Sequence, residues 1–415
     1  MHEINTDILI IGGGSAGISA AVGASQFGNK VTLIEQLSYL GGKATSAEVG
    51  TVCGLYKYSK TEKAEYIVKG FAKDFAEQLS ELSQTVPLNN NNGLHYLPYN
   101  IEAYKDLCLD IIKKNNVELF LNSEVIHVQI SNQHLKSVTI KTATEVFEIN
   151  YKTIVDCSGN GQISQLTNLP LITSDKYQAA AQIFTLSGIN DITETNLNFI
   201  VMKELQKAVY DKTLNNSFER ISIVQGSVKN NMVSFKLGIP IEVTFQENNV
   251  MLLREKAIEM IQTFLNYFTE TVPLFKNASL QSIAPEVGIR VGMRSTGNYI
   301  LNEEDVLGGR KFNSAIANCS WPIEEWVQDK RVKLRYFNLE DFYQIPADCL
   351  KSINVTNLYF AGGNISATDG AIASARVMGI CLQTGFAAGE LAAGQVANEL
   401  EINVIKAIQL KQINT

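Results

Sequence analysis

The stretch that decides the fold is "DILIIGGGSAGISAAVGASQFGNKVTLIE", residues 7–35. Residues 7–12 read as a short buried strand, since an unbroken apolar run of this length fits a strand covered on both faces. Gly12-x-Gly14-x-x-Gly17 follows at once, with Ser15 and Ala16 inside it, and then comes a helix of small residues. "KVTLIE" gives a second strand ending at Glu35, 23 residues after Gly12. Strand, glycine turn, helix, strand and acid form one mechanical unit. The glycines permit a tight turn and let backbone approach a pyrophosphate, and the helix start offers unpaired N–H groups and a positive dipole end. A carboxylate at the position of Glu35, with Gln36 beside it, can accept from a ribose hydroxyl. The unit predicts a bound dinucleotide.

A second strand–glycine–helix stretch, "YFAGGNISATDGAIASARVMG", lies at 359–379. It poses a question of economy, because one dinucleotide turn already exists. A long dinucleotide has two ends, and the second turn is expected to hold the far one.

Bulk properties narrow the class. The chain has 415 residues, more than one core usually serves, so more than one domain is expected. It is 45% apolar and 19% charged, with a net charge of −7. That balance, without a Lys/Arg-rich run, excludes a nucleic-acid footprint. No apolar run reaches the ~18 residues of a membrane span, and the first strand begins too early to leave room for a signal peptide. The six cysteines, Cys53, Cys108, Cys157, Cys319, Cys349 and Cys381, form no CxxC pair, which fits a reducing cytoplasm. Only four histidines exist (His2, His95, His127 and His134), so no metal centre is expected from them.

After Glu35 the chain reads Leu40-Gly41-Gly42-Lys43-Ala44-Thr45. This resembles the glycine pair of the glutathione-reductase-like FAD superfamily, in which the segment runs beside the pyrophosphate toward the flavin. A helix at 101–115 and three successive strands in 117–155 match the same superfamily. The resemblance implies an adenine contact through the backbone at Val125, and "TIVDCSGNG" (Ser158, Gly159, Gly161) resembles its return strand, with Cys157 and Asn160 in place of Ala and Asp.

Residues 284–326 are similar to a large family of FAD-dependent oxidoreductases. Arg290, Arg294, Gly297, Tyr299, Leu301 and Asp305 match its R-x-x-R-x-x-x-G-x-Y-x-L-x-x-x-D pattern. Trp321 and "Pro322-Ile323-Glu324-Glu325" depart from the family's Y-P-I-D, Gly363 replaces an Arg, and Asp369 sits near a position often held by His. The resemblance implies FAD as cofactor. Gly362 and Gly363 would deliver the flavin end, and the helix near Asp369, Gly370 and Ala371 would aim its positive end at the flavin edge that gains charge on reduction. The expected fold is α/β: a Rossmann-like FAD-binding domain of glutathione-reductase type (1–165 and 286–415) with an inserted α+β substrate or cap domain (166–285).

The segment "TVPLNNNNGLHYLPYN", 85–100, reads as a surface connection or a lid. Within 166–285, "YQAAAQIFTLSG", "NMVSFKLGI" and "IPIEVTF" read as strands. Cys53 is either a reactive flavin neighbour or a small buried residue. Arg290 and Arg294 either bind a carboxylate or form structural ion pairs, and Tyr299 and His95 are the proton-transfer candidates by residue type. One dinucleotide turn and no paired-cysteine motif favour an enzyme whose small organic substrate reduces the flavin directly, a dehydrogenase or oxidase. A monooxygenase or reductase fed by a separate electron donor, and a non-catalytic FAD protein, are the alternatives. The small-residue spacing of Gly385, Gly389 and Ala393 reads as close helix packing.

Overall fold

The computed structural model describes residues 2–90, 92–190, 192–246, 248–327 and 332–413. Ile8–Ile11 forms the middle strand of a five-stranded parallel sheet whose order is 358–360, 153–156, 8–11, 31–34, 118–120. All four of its side chains are buried, because both sheet faces are covered. The register is in step, Ile8 opposite Val31 and Ile11 opposite Ile34 on one side, and Thr153 opposite Ile8 on the other. The edge strand Leu358–Phe360 pairs with Ile154–Asp156, so the end of the chain completes a sheet that its beginning started.

The helix Ser15–Ser25 is buried from Ser15 to Ala24. The reason is the long helix Met378–Val396, which lies against it backbone to backbone. A methyl group added at Gly385 would stand 2.1 Å from the carbonyl of Ala16, and one at Gly389 2.1 Å from that of Ala20. Gly23 faces the carbonyl of Phe386 as closely, at 2.3 Å. The expected packing role of this small-residue stripe is therefore realised by direct main-chain approach. Among the described residues no single helix is long and apolar enough to cross a membrane; Asp369–Ala375 and Met378–Val396 together have the composition but are bent by 95°.

An antiparallel meander, Glu124–Ser131, His134–Lys141 and Val146–Asn150, shares an apolar core with Leu9, Ile11, Ile154 and Phe360 of the parallel sheet, and His2–Asn5 adds a parallel strand ahead of the first expected one. A separate antiparallel sheet, ordered 221–223, 232–238, 181–187, 279–283, carries the helices Glu194–Tyr210 and Asn249–Thr271. Its own apolar core centres on stacked phenylalanines, with Phe264 4.2 Å from Phe268 and Phe184 5.3 Å from Phe235. It is tied to the parallel layer by Leu171–Ile172 pairing with Arg294–Ser295, and by Lys43, whose ammonium sits 2.9 Å from Glu286.

Two local expectations are corrected. Residues 239–245, read as a strand, run irregularly, since Pro240 cannot donate to a ladder. Residues 85–100 are not a plain surface loop: Leu88–Asn89 pairs with His95–Pro98, and all four residues of the latter strand are buried beside Thr51–Val52.

Candidate active site

The two glycine turns and the glycine pair converge. Gly12 takes φ +93°, and a side chain at Gly17 would place Cβ 1.7 Å from the carbonyl oxygen of Gly12. The Gly41 N–H donates to the Gly13 carbonyl at 2.9 Å, and a Cβ on Gly42 would stand 2.9 Å from the Cα of Gly14. On the other side, a Cβ on Gly362 would meet the side chain of Ala16 at 2.8 Å, and one on Gly363 would meet the Gly159 carbonyl at 3.4 Å. Four chain segments, 12–17, 41–42, 159 and 362–363, thus approach one another so closely that only glycines fit where they meet. Among the described residues no side chain caps the helix that starts at Ser15, so its first N–H groups face this junction.

Glu35 sits at the carboxyl end of its strand, 5% exposed. Its carboxylate accepts from the N–H groups of Gly13 at 2.7 Å and Leu37 at 2.8 Å. Burial pushes this carboxyl up from its ordinary range, and those two N–H donors pull it back. Gln36 is exposed at the rim. The Ser15 hydroxyl contacts the buried Tyr104 hydroxyl at 2.7 Å, the Ala44 carbonyl accepts from Tyr99, and Thr45 donates to the Leu40 carbonyl. Ser158 donates through N and Oγ to the buried Asp156, which fixes the Ser158–Gly159 turn, and the Val125 carbonyl receives the Gln162 side chain at 3.5 Å.

The flavin-end helix needs correction. The Gly370 N–H donates to Glu303 Oε1 at 3.1 Å, Ala371 to the Thr368 hydroxyl, and the Asp369 carboxylate is taken by Arg294 and Ser174. Asp369, Gly370 and Ala371 are therefore occupied within the protein. The next helix, Met378–Val396, has no side-chain cap among the described residues; the Gly379 N–H donates to the Cys53 carbonyl, and Ile380 and Cys381 donate to the Val377 carbonyl. Its first turn touches Gly54 on one side, where Gly379 donates to the Cys53 carbonyl at 2.9 Å, and on the other reaches Gly362 through Cys381.

Beside that helix end the two layers bring a cluster of charged and aromatic side chains together. Lys236 comes from the antiparallel sheet, Arg290 from the segment after it, Glu324 from the strand Ile323–Glu325, and Arg376 from the bend between the two C-terminal helices. Trp326 is shared, with the Lys236 ammonium 4.4 Å and the Arg290 guanidinium 4.1 Å from its ring centre. Arg376 lies 4.0 Å from Glu324, which also accepts from the Trp321 indole N–H at 3.2 Å, and donates to Gln178 at 3.3 Å. Burial, then the Arg290 charge, pulls Lys236 down to about 8. Burial, then Arg376, pulls Arg290 down to about 9. Cys53 adjoins this group, and burial followed by the Glu324 charge pushes its thiol up to about 12. A thiol so placed is protonated at neutral pH and is a poor nucleophile.

Of the proposed chemical residues, Cys53 and Arg290 reach the cluster and three do not. Arg294 is fully buried, donating to the carbonyls of Ala367 (3.1 Å) and Gly292 (3.0 Å), to Ser174 and to Asp369. With these groups engaged it is a structural tie. The Tyr299 hydroxyl donates to Asp305 at 2.8 Å and accepts from Arg310 at 3.0 Å, so it is locked in an ion-pair network. His95 is 3% exposed and sets its ring against Tyr56, on the opposite strand face from its neighbour Tyr96. Sequence reasoning assigned no role to Lys236, Glu324, Trp326 or Arg376. The only signals were the departure from the family pattern at Trp321 and Glu324, and Arg376 within "SARVM". A groove of about 640 Å³ lined by Lys351, Gln395 and Glu401 shares no residue with this cluster.

The sequence matches the profile of the FAD dependent oxidoreductase family over residues 7–413. The chain belongs to that family. Like others of the FAD-dependent oxidoreductases it is a flavoenzyme with FAD as cofactor, and the glycine-lined junction fits such a group. No curated protein matches the chain. Among solved structures it is similar to CabE, an aromatic hydroxylase from angucycline biosynthesis, at 9% identity and a TM-score of 0.50 over 97% of this chain and 65% of that one. It is also similar to a geranylgeranyl bacteriochlorophyll reductase-like protein from Thermoplasma acidophilum, at 13% identity and a TM-score of 0.48 over 98% of this chain and 83% of that one. At these identities the likeness is one of fold, a mixed α/β architecture around a parallel sheet.

Proposed function

We propose that this FAD-dependent oxidoreductase is a dehydrogenase or oxidase that removes a hydride from a small organic substrate lodged at the Cys53–Arg376 cluster. In this reading the nucleotide layer is of glutathione-reductase type, formed by 1–165 and 286–415, and the antiparallel layer of 166–285 closes over the substrate. The observation that carries it is the position of the cluster. Its residues adjoin the first turn of Met378–Val396: Arg376 stands two residues before Met378, the Cys53 carbonyl accepts from Gly379, and Cys381 reaches the Gly362 turn.

FAD, when bound, supplies a two-electron acceptor for the substrate's hydride. Everything else falls to the chain. The N–H groups at Ser15–Gly17 and the backbone at Gly41–Gly42 would hold the pyrophosphate, and Glu35 and Gln36 the adenosine ribose. Val125 would meet the adenine, while Lys43, Ala44, Thr45, Ser158, Gly159, Gly362 and Gly363 would border the flavin half. The uncapped end of Met378–Val396 would offset negative charge that develops there. Trp326, against Lys236 and Arg290, and Trp321, bonded to Glu324, would supply apolar surface that keeps water from the transferring hydrogen.

The test is anaerobic mixing of the FAD-loaded protein with a panel of amino, hydroxy and unsaturated acids, following the visible flavin band. Bleaching by a panel member, with inertness to NADH and NADPH, is the expected result. Rapid bleaching by a nicotinamide donor, with none by the whole panel, would replace the dehydrogenase reading with a monooxygenase or reductase one.

A further inference from the structure

We propose that the cluster's occupant carries an oxyanion, a carboxylate or a phosphate, seated among Lys236, Arg290 and Arg376. The inference rests on the reading of this cluster as the substrate site and names the chemistry the substrate brings. Among the described residues the cluster holds three cations and one carboxylate, Glu324. Arg220 adds a further positive field on Arg290.

Gathering like charges away from bulk water is costly unless something compensates them. The compensation within the protein is partial among the described residues. Lys236 and Arg290 share one indole ring, a weak partner for two full charges. Arg290 also donates to the Ala179 carbonyl. Glu324 stands at 4.0 Å from Arg376 and spends an oxygen on Trp321, so it neutralises at most one of the three. The Arg376 Nε–H is buried and has no acceptor among the described residues. A surplus of positive charge and an orphan donor converge from four separate segments on one cluster. An anion supplied by a ligand completes the set, and guanidinium forks are suited to a carboxylate or phosphate.

The direction of proton affinity agrees. Lys236 is faced by Arg290, Glu324 and Cys53, and burial with the Arg290 charge brings its ammonium down to about 8, below Arg290 and Cys53. An anion favours the protonated amine, so binding is strong below that pH and weakens as pH rises through it.

The sequence has two tryptophans, Trp321 and Trp326, and both belong to this cluster, so indole emission reports on it alone. The experiment titrates the FAD-loaded protein with acetate, succinate and inorganic phosphate at constant ionic strength, with acetamide as the neutral control. A saturable emission change is expected with an anion and none with acetamide. Arg376→Gln should weaken it by about tenfold or more, the worth of one charge-assisted hydrogen bond. Lys236→Arg should retain binding but lose the break near pH 8. Retention of FAD by both variants shows that each has folded. Response to phosphate alone assigns the anion as phosphate, and response to carboxylates alone assigns it as carboxylate. No saturable response to any anion, or an unchanged one in Arg376→Gln, overturns the proposal. The two readings fail separately: a flavin bleached by neutral substrates in a protein blind to anions removes only the anion inference. Anion binding without bleaching by any substrate removes only the dehydrogenase.

Discussion

Replacing Gly17 by alanine plants a methyl group 1.7 Å from the Gly12 carbonyl oxygen, when real Cβ atoms essentially never come closer than 3.0 Å. Neither partner can yield cheaply. Gly12 is pinned by its N–H to the Ile34 carbonyl at 2.8 Å, and a Cβ on Gly12 would itself press on the Cys157 carbonyl at 2.7 Å. The helix behind Gly17 cannot retreat, because Met378–Val396 lies against its backbone. The turn must open by about 1.3 Å, an overpacking strain of about 1–3 kcal/mol. The larger effect falls on the cofactor. An opening of that size pulls the Ser15–Gly17 N–H groups off the pyrophosphate, and each hydrogen bond to a charged group contributes about 1.5–3 kcal/mol. Loss of one or two weakens FAD binding by about 100-fold or more. Equilibrium dialysis of the apoprotein against FAD measures this, and thermal unfolding of the apoprotein reads the strain separately. Gly28→Asn is the control: Gly28 has φ +72° with nothing within 4 Å, a conformation asparagine tolerates. If Gly17→Ala binds FAD within about threefold of wild type while Gly28→Asn behaves the same, the glycine junction described above is not the pyrophosphate site.

Other expectations follow from the same contacts. Cys53, held near 12, should react with a disulfide reagent at neutral pH far more slowly than after denaturation, and Cys53→Ala should keep its flavin; flavin that stays with the heat-denatured wild-type protein but not with the variant would show a covalent link instead. Arg294→Met strands the Ala367 and Gly292 carbonyls and should cost about 3–5 kcal/mol in urea unfolding, whereas a stable variant with lost turnover would return Arg294 to the chemistry. Tyr299→Phe removes one hydrogen bond, about 1 kcal/mol, and leaves Arg310 paired with Asp305, so substrate-driven bleaching should proceed at the wild-type rate. Gly389→Val drives a branched side chain into the Ala20 carbonyl and should cost about 3 kcal/mol or more in thermal unfolding; an unaltered midpoint would refute the backbone contact between the two helices.

What was legible in the sequence was local in origin. The strand at 8–11, the Gly12–Gly17 turn and the acid at 35 are each dictated by neighbours in the chain, and the structure assembles them as read. The packing of Gly385 and Gly389 was legible for the same reason, since a four-residue period marks one helix face. The charged cluster was not. Lys236, Arg290, Glu324 and Arg376 meet only through tertiary packing; Arg290 stood out by its motif, while the other three each look alone like an ordinary charge. Arg294 and Tyr299 misled because the residue type suggests chemistry, while their donors are spent on carbonyls and carboxylates that only the fold brings near. His95 misled through composition, for an asparagine run beside it concealed a buried strand. The Gly370 N–H meets Glu303, a contact that nothing near it in sequence announces.

The late edge strand sets a schedule for biosynthesis. Thr153–Asp156 is made long before Leu358–Phe360, and until the latter arrives one side of the parallel sheet is an unpaired edge. The Gly12–Gly17 turn likewise waits for Met378–Val396 before the back of its helix is covered. If both glycine turns hold the flavin, as proposed, no fragment that lacks residues 358–396 offers both of them, and such a fragment is expected to bind FAD far more weakly than the whole chain.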